Sequence, residues 1–185
     1  MLATVLASCG APAGSAGPTR TLPEPAQRAA ATAAVDRLAG RLHHAIAADT
    51  VASLLFDDQA LRALLRSEAA GRASVLRLNA SAHLSVPEAP RALLGRTSYA
   101  GACVQELRDE AAGGPGGLRA AGWAFHRILV VGREPGGGHV ATWVEGQFVY
   151  SDAGFGAVVV ERVETPRRDH SDLEIATCDL RVGID

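Results

Sequence analysis

Lysine is absent from this chain of 185 residues, and all 18 basic residues are arginine. The absence excludes chemistry that needs a lysine amine, namely a Schiff base, a lysine general base or the lysine of a phosphate-binding P-loop. The 20 acidic residues leave a formal net charge of −2, and the longest basic cluster is Arg167-Arg168. Because this balance attracts neither a polyanion nor an anionic membrane surface, we expect no nucleic-acid partner.

Motifs typical of metal, nucleotide and nucleophile sites are also missing. The sequence has no H-x-x-x-H, H-E-x-x-H or C-x-x-C spacing, and the adjacent His43 and His44 would point about 100° apart on a helix. The polar stretch with Asp169, His170 and Asp172 is predicted to be a solvated turn. There is no G-x-S-x-G elbow, and the glycine runs GGPGG and PGGG lack the G-x-G-x-x-G spacing. We therefore predict no metal and no cofactor.

A short apolar run leads into Cys9 in the first segment of the chain, MLATVLASCG. Leu6-Ala7-Ser8-Cys9 resembles the lipobox of bacterial lipoproteins, in which an aliphatic residue and two small residues precede a cysteine. The resemblance implies that the Cys9 thiol receives a diacylglyceryl group and that residues 1–8 are removed as a partial signal peptide. It also implies that the acyl chains then hold the protein on a membrane.

This apolar run departs from a complete signal peptide, because it lacks a charged n-region and its h-region is short. We therefore expect translation to begin upstream of Met1. In the alternative, Met1 is the true start, Cys9 is an ordinary thiol and the protein is cytoplasmic. The expected location is the cell envelope, at the outer membrane or on the periplasmic face, with the membrane as a partner through the lipid anchor.

The rest of the chain divides into a tether and a domain. Residues 9–26 have the small residues and prolines of a disordered tether, which would hold a lipidated domain away from the membrane. Residues 27–185 are long enough to form a single domain. After residue 9, the sequence has no stretch long and apolar enough to span a bilayer.

Two alternatives remain for Cys103 and Cys178. If Cys9 is acylated, these two cysteines are left as a pair, and in an oxidising periplasm they can form a disulfide. In the other alternative they are separate buried thiols that behave as small apolar residues, which is slightly favoured because two cysteines fit many folds. No sequence feature would lower the pKa of the Cys103 thiol strongly, so we do not predict a catalytic cysteine.

Helical patterns precede most strand patterns, which predicts an α+β fold with N-terminal helices packed on an antiparallel sheet. Four apolar residues recur at spacings of three and four and predict a helix over 26–48: Val35, Leu38, Leu42 and Ile46. Asp57-Asp58 is typical of a helix N-cap, and Gly71 of a helix end. The other predictions are a helix over 59–71, a β-like segment over 74–86, a helix over 97–114, and strands over 122–132, 139–152, 156–164 and 172–182.

Two of the predicted strands place aromatic and ionisable side chains on common faces. Strand alternation puts Arg127 on one face with two aromatic residues and His126 on the other face. On the next strand, Glu145 shares a face with an aromatic residue. The aromatic residues concerned are Trp123 and Phe125 on the first strand and Trp143 on the second.

A sheet of this kind with a helix across it resembles, at the level of fold, the cone-shaped NTF2-like/SnoaL domains, which enclose a small apolar cavity. If such a cavity exists here, its candidate polar groups are His126, Arg127 and Glu145. The resemblance then implies acid–base catalysis on a small apolar molecule, with His126 or Glu145 as the base. The alternative, which we favour, is that His126 and Arg127 lie on the solvated face or join a structural ion pair with Glu145.

These patterns favour a lipid-anchored envelope protein with a non-catalytic binding or accessory domain, whose partner is an envelope protein or a small apolar ligand. An NTF2-like enzyme or small-molecule binder is the alternative. The two hypotheses predict different interiors. An enzyme needs a closed pocket of roughly a few hundred Å³ that holds a convergent acid–base pair, whereas a sheet packed solid by its aromatic residues leaves no room for one.

Overall fold

The computed structural model of the chain describes residues 25–114, 117–151, 154–166 and 178–184. In this part of the chain four α-helices come first, with a short 3-10 helix at Val51–Leu54: α1 (Pro25–Ala47), α2 (Asp58–Leu64), α3 (Ser67–His83) and α4 (Glu88–Leu94). Six strands follow: β1 (Ser98–Gln105), β2 (Arg108–Glu110), β3 (Gly122–Arg133), β4 (His139–Ser151), β5 (Gly154–Val163) and β6 (Leu180–Val182). None of these helices is long and apolar enough to cross a bilayer.

The strands form one antiparallel sheet in the order β5-β4-β3-β1-β6. Strand β2 follows β1 and pairs with the first residues of β3, where Arg108 lies opposite Ala124. The two longest strands, β3 and β4, form a hairpin whose turn is closed by the Glu134 N–H donating to the Gly138 carbonyl at 2.7 Å. The predicted α+β class, with N-terminal helices on an antiparallel sheet, is confirmed.

Helix α1 covers one face of the sheet and forms the main core with it. Its predicted apolar stripe is buried, with none of four residues more than 2% exposed: Val35, Leu38, Leu42 and Ile46. These side chains share one cluster with Ile128, Val130 and Val144 from the central hairpin. Full burial of each such aliphatic side chain stabilises the fold by about 1.5–3 kcal/mol, so this layer supplies most of the apolar stabilisation.

The opposite face of the sheet carries two smaller clusters. Because side chains alternate along a strand, Leu129 and Val131 point away from α1 while Ile128 and Val130 point toward it. Beside β5, helices α2 and α3 cover this face. The first cluster lies there and consists of Leu61, Leu64, Leu65, Ala70, Ala73, Leu118, Val149 and Val158. Toward β1, the second cluster consists of Cys103, Leu129, Val131, Ala141 and Trp143.

The predicted helix over 59–71 is divided, because the chain at Leu65 and Arg66 pairs with the loop before β3. The Arg66 N–H donates to the Gly117 carbonyl at 2.8 Å, and the Arg119 N–H donates to the Leu64 carbonyl at 3.0 Å. These hydrogen bonds hold the two residues in an extended conformation, so the helix stops and a new one starts. Long-range pairing therefore overrides the local helical pattern.

The start of α2 agrees with the sequence, whereas its end does not. The side chain of Asp57 accepts a hydrogen bond from the Ala60 N–H at 2.7 Å, so the predicted N-cap is confirmed. Gly71, predicted to end the helix, lies inside α3 instead. A Cβ added at Gly71 would meet no atom within 4 Å, so this glycine is not required by close packing.

The segment 74–86, predicted to be β-like, is helical as far as His83. Ser74 Oγ and the Arg77 guanidinium both donate to Asp58 Oδ1, at 2.9 and 2.8 Å, and fasten α3 to α2. Leu76 (46% exposed) and Leu78 (59%), whose alternation suggested a strand, lie on the outer surface of the helix, and so does Val75 (58%). They misled the prediction because they do not face the core.

The predicted helix over 97–114 is also wrong, since this segment forms β1 and β2. Strand β1 pairs with β3 on one side and with β6 on the other, so both of its edges are hydrogen-bonded. The hydroxyl of Thr97, the first residue of the predicted helix, donates to the Leu94 carbonyl at 2.9 Å. Pairing with distant strands decides the conformation here, as it does for many strand sequences.

A register shift in the central hairpin changes which face the polar residues occupy. Phe125 pairs with Phe148, but Arg127 pairs with Glu145, so the strict alternation of β3 breaks around His126. Phe125 points toward α1, and Arg127 lies on the opposite face. The prediction that Arg127 shares a face with the aromatic residues of β3 is therefore wrong.

Candidate functional site

Four charged residues form an ion-pair cluster on the face of the sheet opposite α1: Arg127, Glu145, Arg162 and Glu164. Arg127 contacts both carboxylates, with Nε 3.3 Å from Glu145 and Nη2 3.2 Å from Glu164. Arg162 contacts the same two carboxylates at 2.8 and 3.2 Å. Neighbouring strands bring the cluster together, because Glu145 on β4 lies opposite Arg127 on β3 and Arg162 on β5.

The chemistry of this cluster is that of a structural network. The hydrogen bond from Arg162 is the main cause that holds the pKa of Glu145 below its usual value, and the charges of both arginines act in the same direction. The guanidinium of Arg127 also lies 4.6 Å from the ring centre of Trp143 in a cation–π contact. A carboxylate that is kept ionised and paired with two arginines is a weak general base at neutral pH.

His126 does not join this cluster. Its Nδ1 lies 3.2 Å from the Gly146 carbonyl, and the side chain is half-buried at the register shift. Among the described residues, no hydrogen bond links His126 to Glu145 or to Arg127. The structure therefore brings Arg127 and Glu145 together and leaves His126 apart.

The aromatic residues of the hairpin fill both faces of the sheet. Phe125 stacks on Phe148 with ring centres 4.9 Å apart, and Trp123 stacks on Tyr150 at 5.1 Å. Trp123 and Phe125 belong to the core under α1, whereas Trp143 is buried in the cluster on the opposite face. One groove between α1 and β6 and another between α3 and β5 are lined by described residues, and neither includes His126, Arg127 or Glu145.

A buried histidine on α1 forms a polar site that the sequence analysis missed. His43 is 2% exposed, and its Nε2 lies 2.8 Å from Thr97 Oγ1. Since the Thr97 hydroxyl donates its hydrogen to the Leu94 carbonyl, Nε2 must be the donor to Thr97. Nδ1 is then an acceptor, and no described residue donates to it. The burial of His43 could have been predicted from its position, because it directly follows Leu42 of the apolar stripe.

The surroundings of His43 disfavour its charged form. Burial lowers the pKa of His43 below its ordinary value, and the charge of neighbouring His44, whose ring centre is 5.4 Å away, lowers it further. Tyr99 is the third ring of the group, and its hydroxyl donates to Asp36 Oδ1 at 2.8 Å. Burial and this carboxylate raise the pKa of Tyr99. The His43 and Tyr99 side chains are therefore both neutral near pH 7.

Replacing His43 with glutamine should make the stability of the domain less dependent on pH. In the native protein, the unfolded state binds a proton below a pKa of about 6.5 while folded His43 does not, so stability falls as the pH drops. We expect the loss between about pH 7.5 and 5.5 to be smaller in His43→Gln by at most about 1.4 kcal/mol. Urea unfolding at several pH values measures it.

The control for this prediction is His44→Gln, which removes the exposed neighbour. Glutamine at position 43 keeps a donor for the Thr97 hydroxyl and removes only the titration. Equal pH slopes in His43→Gln and in the unsubstituted protein would contradict the assignment. A slope changed only by His44→Gln would place the titrating group at the surface.

Cys103 and Cys178 are joined by a disulfide that closes a separation of 75 residues. Their Cα atoms lie 5.6 Å apart, and Cys103 is fully buried in β1. The bond fastens the start of the last described segment to the sheet, next to β6. The two cysteines therefore form a pair, whereas separate thiols had been slightly favoured from the sequence.

The other sequence candidates lie outside the described residues. These are the lipidation candidate Cys9 and the polar stretch with Asp169, His170 and Asp172. Across the described ranges, no group of three or more His, Cys, Asp and Glu residues is arranged to hold a metal ion.

Comparison of the chain with protein-family models, with curated proteins and with solved structures finds no match. The role of the protein must therefore be inferred from its own side chains.

Proposed function

We propose that this protein is a lipid-anchored domain of the bacterial cell envelope with a non-catalytic binding or accessory role. The observation that carries the proposal is the disulfide between Cys103 and Cys178. Disulfides persist in oxidising compartments such as the periplasm and are rare in reducing cytosol. A disulfide between β1 and the segment that leads into β6 is therefore typical of a protein that works outside the cytoplasm.

The same disulfide supports the assignment of Cys9 as the anchor. The chain has three cysteines, and pairing two of them leaves Cys9 as the odd one, in the segment that resembles a lipobox. Helix α1 begins at Pro25, slightly before the predicted domain boundary. The stretch between Cys9 and Pro25 thus connects the acylated cysteine to the first helix of the domain.

The contacts of the candidate catalytic residues support a non-catalytic role. Arg127 and Glu145 are engaged with each other and with two further charges, and His126 contacts a backbone carbonyl. The β-like segment predicted over 74–86 and the helix predicted over 97–114 are replaced by α3, α4, β1 and β2, so all four described helices precede the strands. We therefore favour an accessory domain over an NTF2-like enzyme.

Substitution of Cys9 by serine tests the anchor. The full chain is expressed in a bacterium behind a complete charged n-region and apolar h-region that lead into Leu6-Ala7-Ser8-Cys9. We expect the protein to partition into the detergent phase of Triton X-114 and its N-terminal peptide to carry the mass of a diacylglyceryl group. Cys9→Ser should move the protein to the aqueous phase, because serine lacks the thiol that forms the thioether.

Ser8→Ala is the matched control, since it changes the neighbouring residue but keeps a small side chain before the cysteine. It should partition like the unsubstituted protein. An aqueous, unmodified protein with Cys9 intact would overturn the proposed anchor. Detergent-phase recovery of Cys9→Ser would show that another part of the chain holds the membrane.

A further inference from the structure

A groove of about 510 Å³ lies between the first turns of α1 and strand β6. We call it the arginine groove, and its lining residues are Arg28, Ala29, Thr32, Cys178, Asp179, Leu180 and Arg181. Its volume falls within the range of small-molecule sites, roughly 300–1,000 Å³. It does not overlap the ion-pair cluster or the buried histidine.

Two arginines from distant parts of the chain meet at this groove. Arg28 and Arg181 are both exposed, and among the described residues neither has a carboxylate within ion-pair distance. The one acidic residue of the lining, Asp179, uses its carboxylate to accept the Leu107 N–H at 2.9 Å. The groove thus holds two guanidinium groups that pair with no carboxylate of the described residues, beside the Asp179 carboxylate that accepts the Leu107 N–H.

The remaining lining is mostly apolar. Leu180 is buried at the base, the disulfide of Cys178 lies beside it, and Ala29 contributes a methyl group from α1. The Thr32 hydroxyl is occupied, since it donates to the Arg28 carbonyl at 2.8 Å. A phosphoryl group matches the planar guanidinium donors, which bind its oxygens in pairs, and an attached apolar chain matches the base.

The position of the groove agrees with the proposed anchor, on which the inference rests. Arg28 lies in the first turn of α1, where the stretch from Cys9 joins the domain. A chain spans at most roughly 3.3–3.6 Å per residue, so an acylated Cys9 would keep the groove within reach of lipid headgroups.

We propose that the arginine groove binds the phosphoryl group of a membrane phospholipid through Arg28 and Arg181. The net charge of −2 gives the protein no general attraction to anionic membranes. Arg28 and Arg181, which form no ion pair with the part of the chain that the structure describes, supply a local attraction that composition alone does not reveal.

The test uses the full chain with Cys9→Ser, so that acylation does not hold it on the vesicles. Flotation measures its binding to vesicles of phosphatidylcholine with and without phosphatidylglycerol. We expect binding to the anionic vesicles, and the double variant Arg28→Gln/Arg181→Gln should weaken it by about 30-fold, given the attraction typical of each arginine at an anionic surface.

The charge-matched control is Arg37→Gln/Arg133→Gln, which removes two exposed arginines that do not line the groove. It changes the net charge by the same amount and should weaken binding by less than about threefold, because distant charges are screened. Equal losses in the two double variants, or no binding to anionic vesicles, would overturn the groove as the binding site.

A phosphoryl group could come from a phospholipid headgroup or from free phosphate, and competition with inorganic phosphate distinguishes these two sources. At matched ionic strength, it should displace the chain from vesicles no better than chloride if the lipid chain contributes to binding. Calorimetric binding of inorganic phosphate that needs both arginines, without vesicle binding, would overturn the lipid assignment. The Cys9 anchor is judged separately by detergent partition, so failure of one test leaves the other result intact.

Discussion

The double variant Cys103→Ala/Cys178→Ala should lose about 4 kcal/mol of unfolding free energy. The native bond closes a separation of 75 residues, and a cross-link of that span removes much of the freedom of the unfolded chain. For a domain of this size, the loss corresponds to a fall in Tm of about 10 °C. The bond also holds β6 against β1, so the variant weakens the edge of the sheet that borders the arginine groove.

Thermal unfolding followed by circular dichroism, with and without a reducing agent, checks this result. All proteins carry Cys9→Ser, so that no third thiol exchanges with the pair. The reducing agent should lower the Tm of the protein that keeps Cys103 and Cys178 but leave the double variant unchanged. A Tm that does not respond to reduction in either protein would show that the bond contributes little, and would remove the main support for an oxidising location.

Phe148→Ala should destabilise the domain by about 3–5 kcal/mol. Phe148 is fully buried under α1 and stacks on Phe125, its partner across the hairpin, with an angle of 14° between the rings. Alanine removes the apolar area and the stacking and leaves a cavity that the rigid hairpin cannot close.

Urea denaturation of the variant and of Phe148→Leu measures this effect. Leucine keeps most of the apolar volume and should cost much less, about 1.5 kcal/mol. The comparison also bears on function, because truncating a side chain in a solidly packed core costs more unfolding free energy than truncating one that lines a ligand cavity. A loss below about 1 kcal/mol for alanine would mean that the side chain already borders empty space, which would revive the NTF2-like alternative.

The elements that could be predicted from the sequence are those whose pattern is set by one packing layer. The stripe of α1 faces a single core, and the long apolar runs of β3 and β4 are buried between layers. Helix α3 could not be predicted in this way, because its aliphatic residues at 75, 76 and 78 are exposed and its contacts with the core are short alanines. Strand β1 depends on two partners far along the chain.

Part of the candidate site followed from spacing, and part did not. Regular alternation predicts that Trp143 and Glu145 lie on the same face of the sheet. They do so in the structure, because β4 alternates regularly between these two residues. Arg127 reaches them only because of a register shift that alternation cannot anticipate. The arginine groove joins residues from the first helix and the last strand, and no local pattern relates them.

The order of the strands has a consequence for folding kinetics. The β3–β4 hairpin joins neighbouring segments through a short turn and can form early and quickly, whereas the second edge of β1 is paired only when β6, far along the chain, docks on it. Contacts of such long sequence separation slow folding, because loop-closure entropy is lost before the contact is made. Docking of β6 is therefore expected to be a late step, and oxidation of the cysteine pair would lock it in place afterwards.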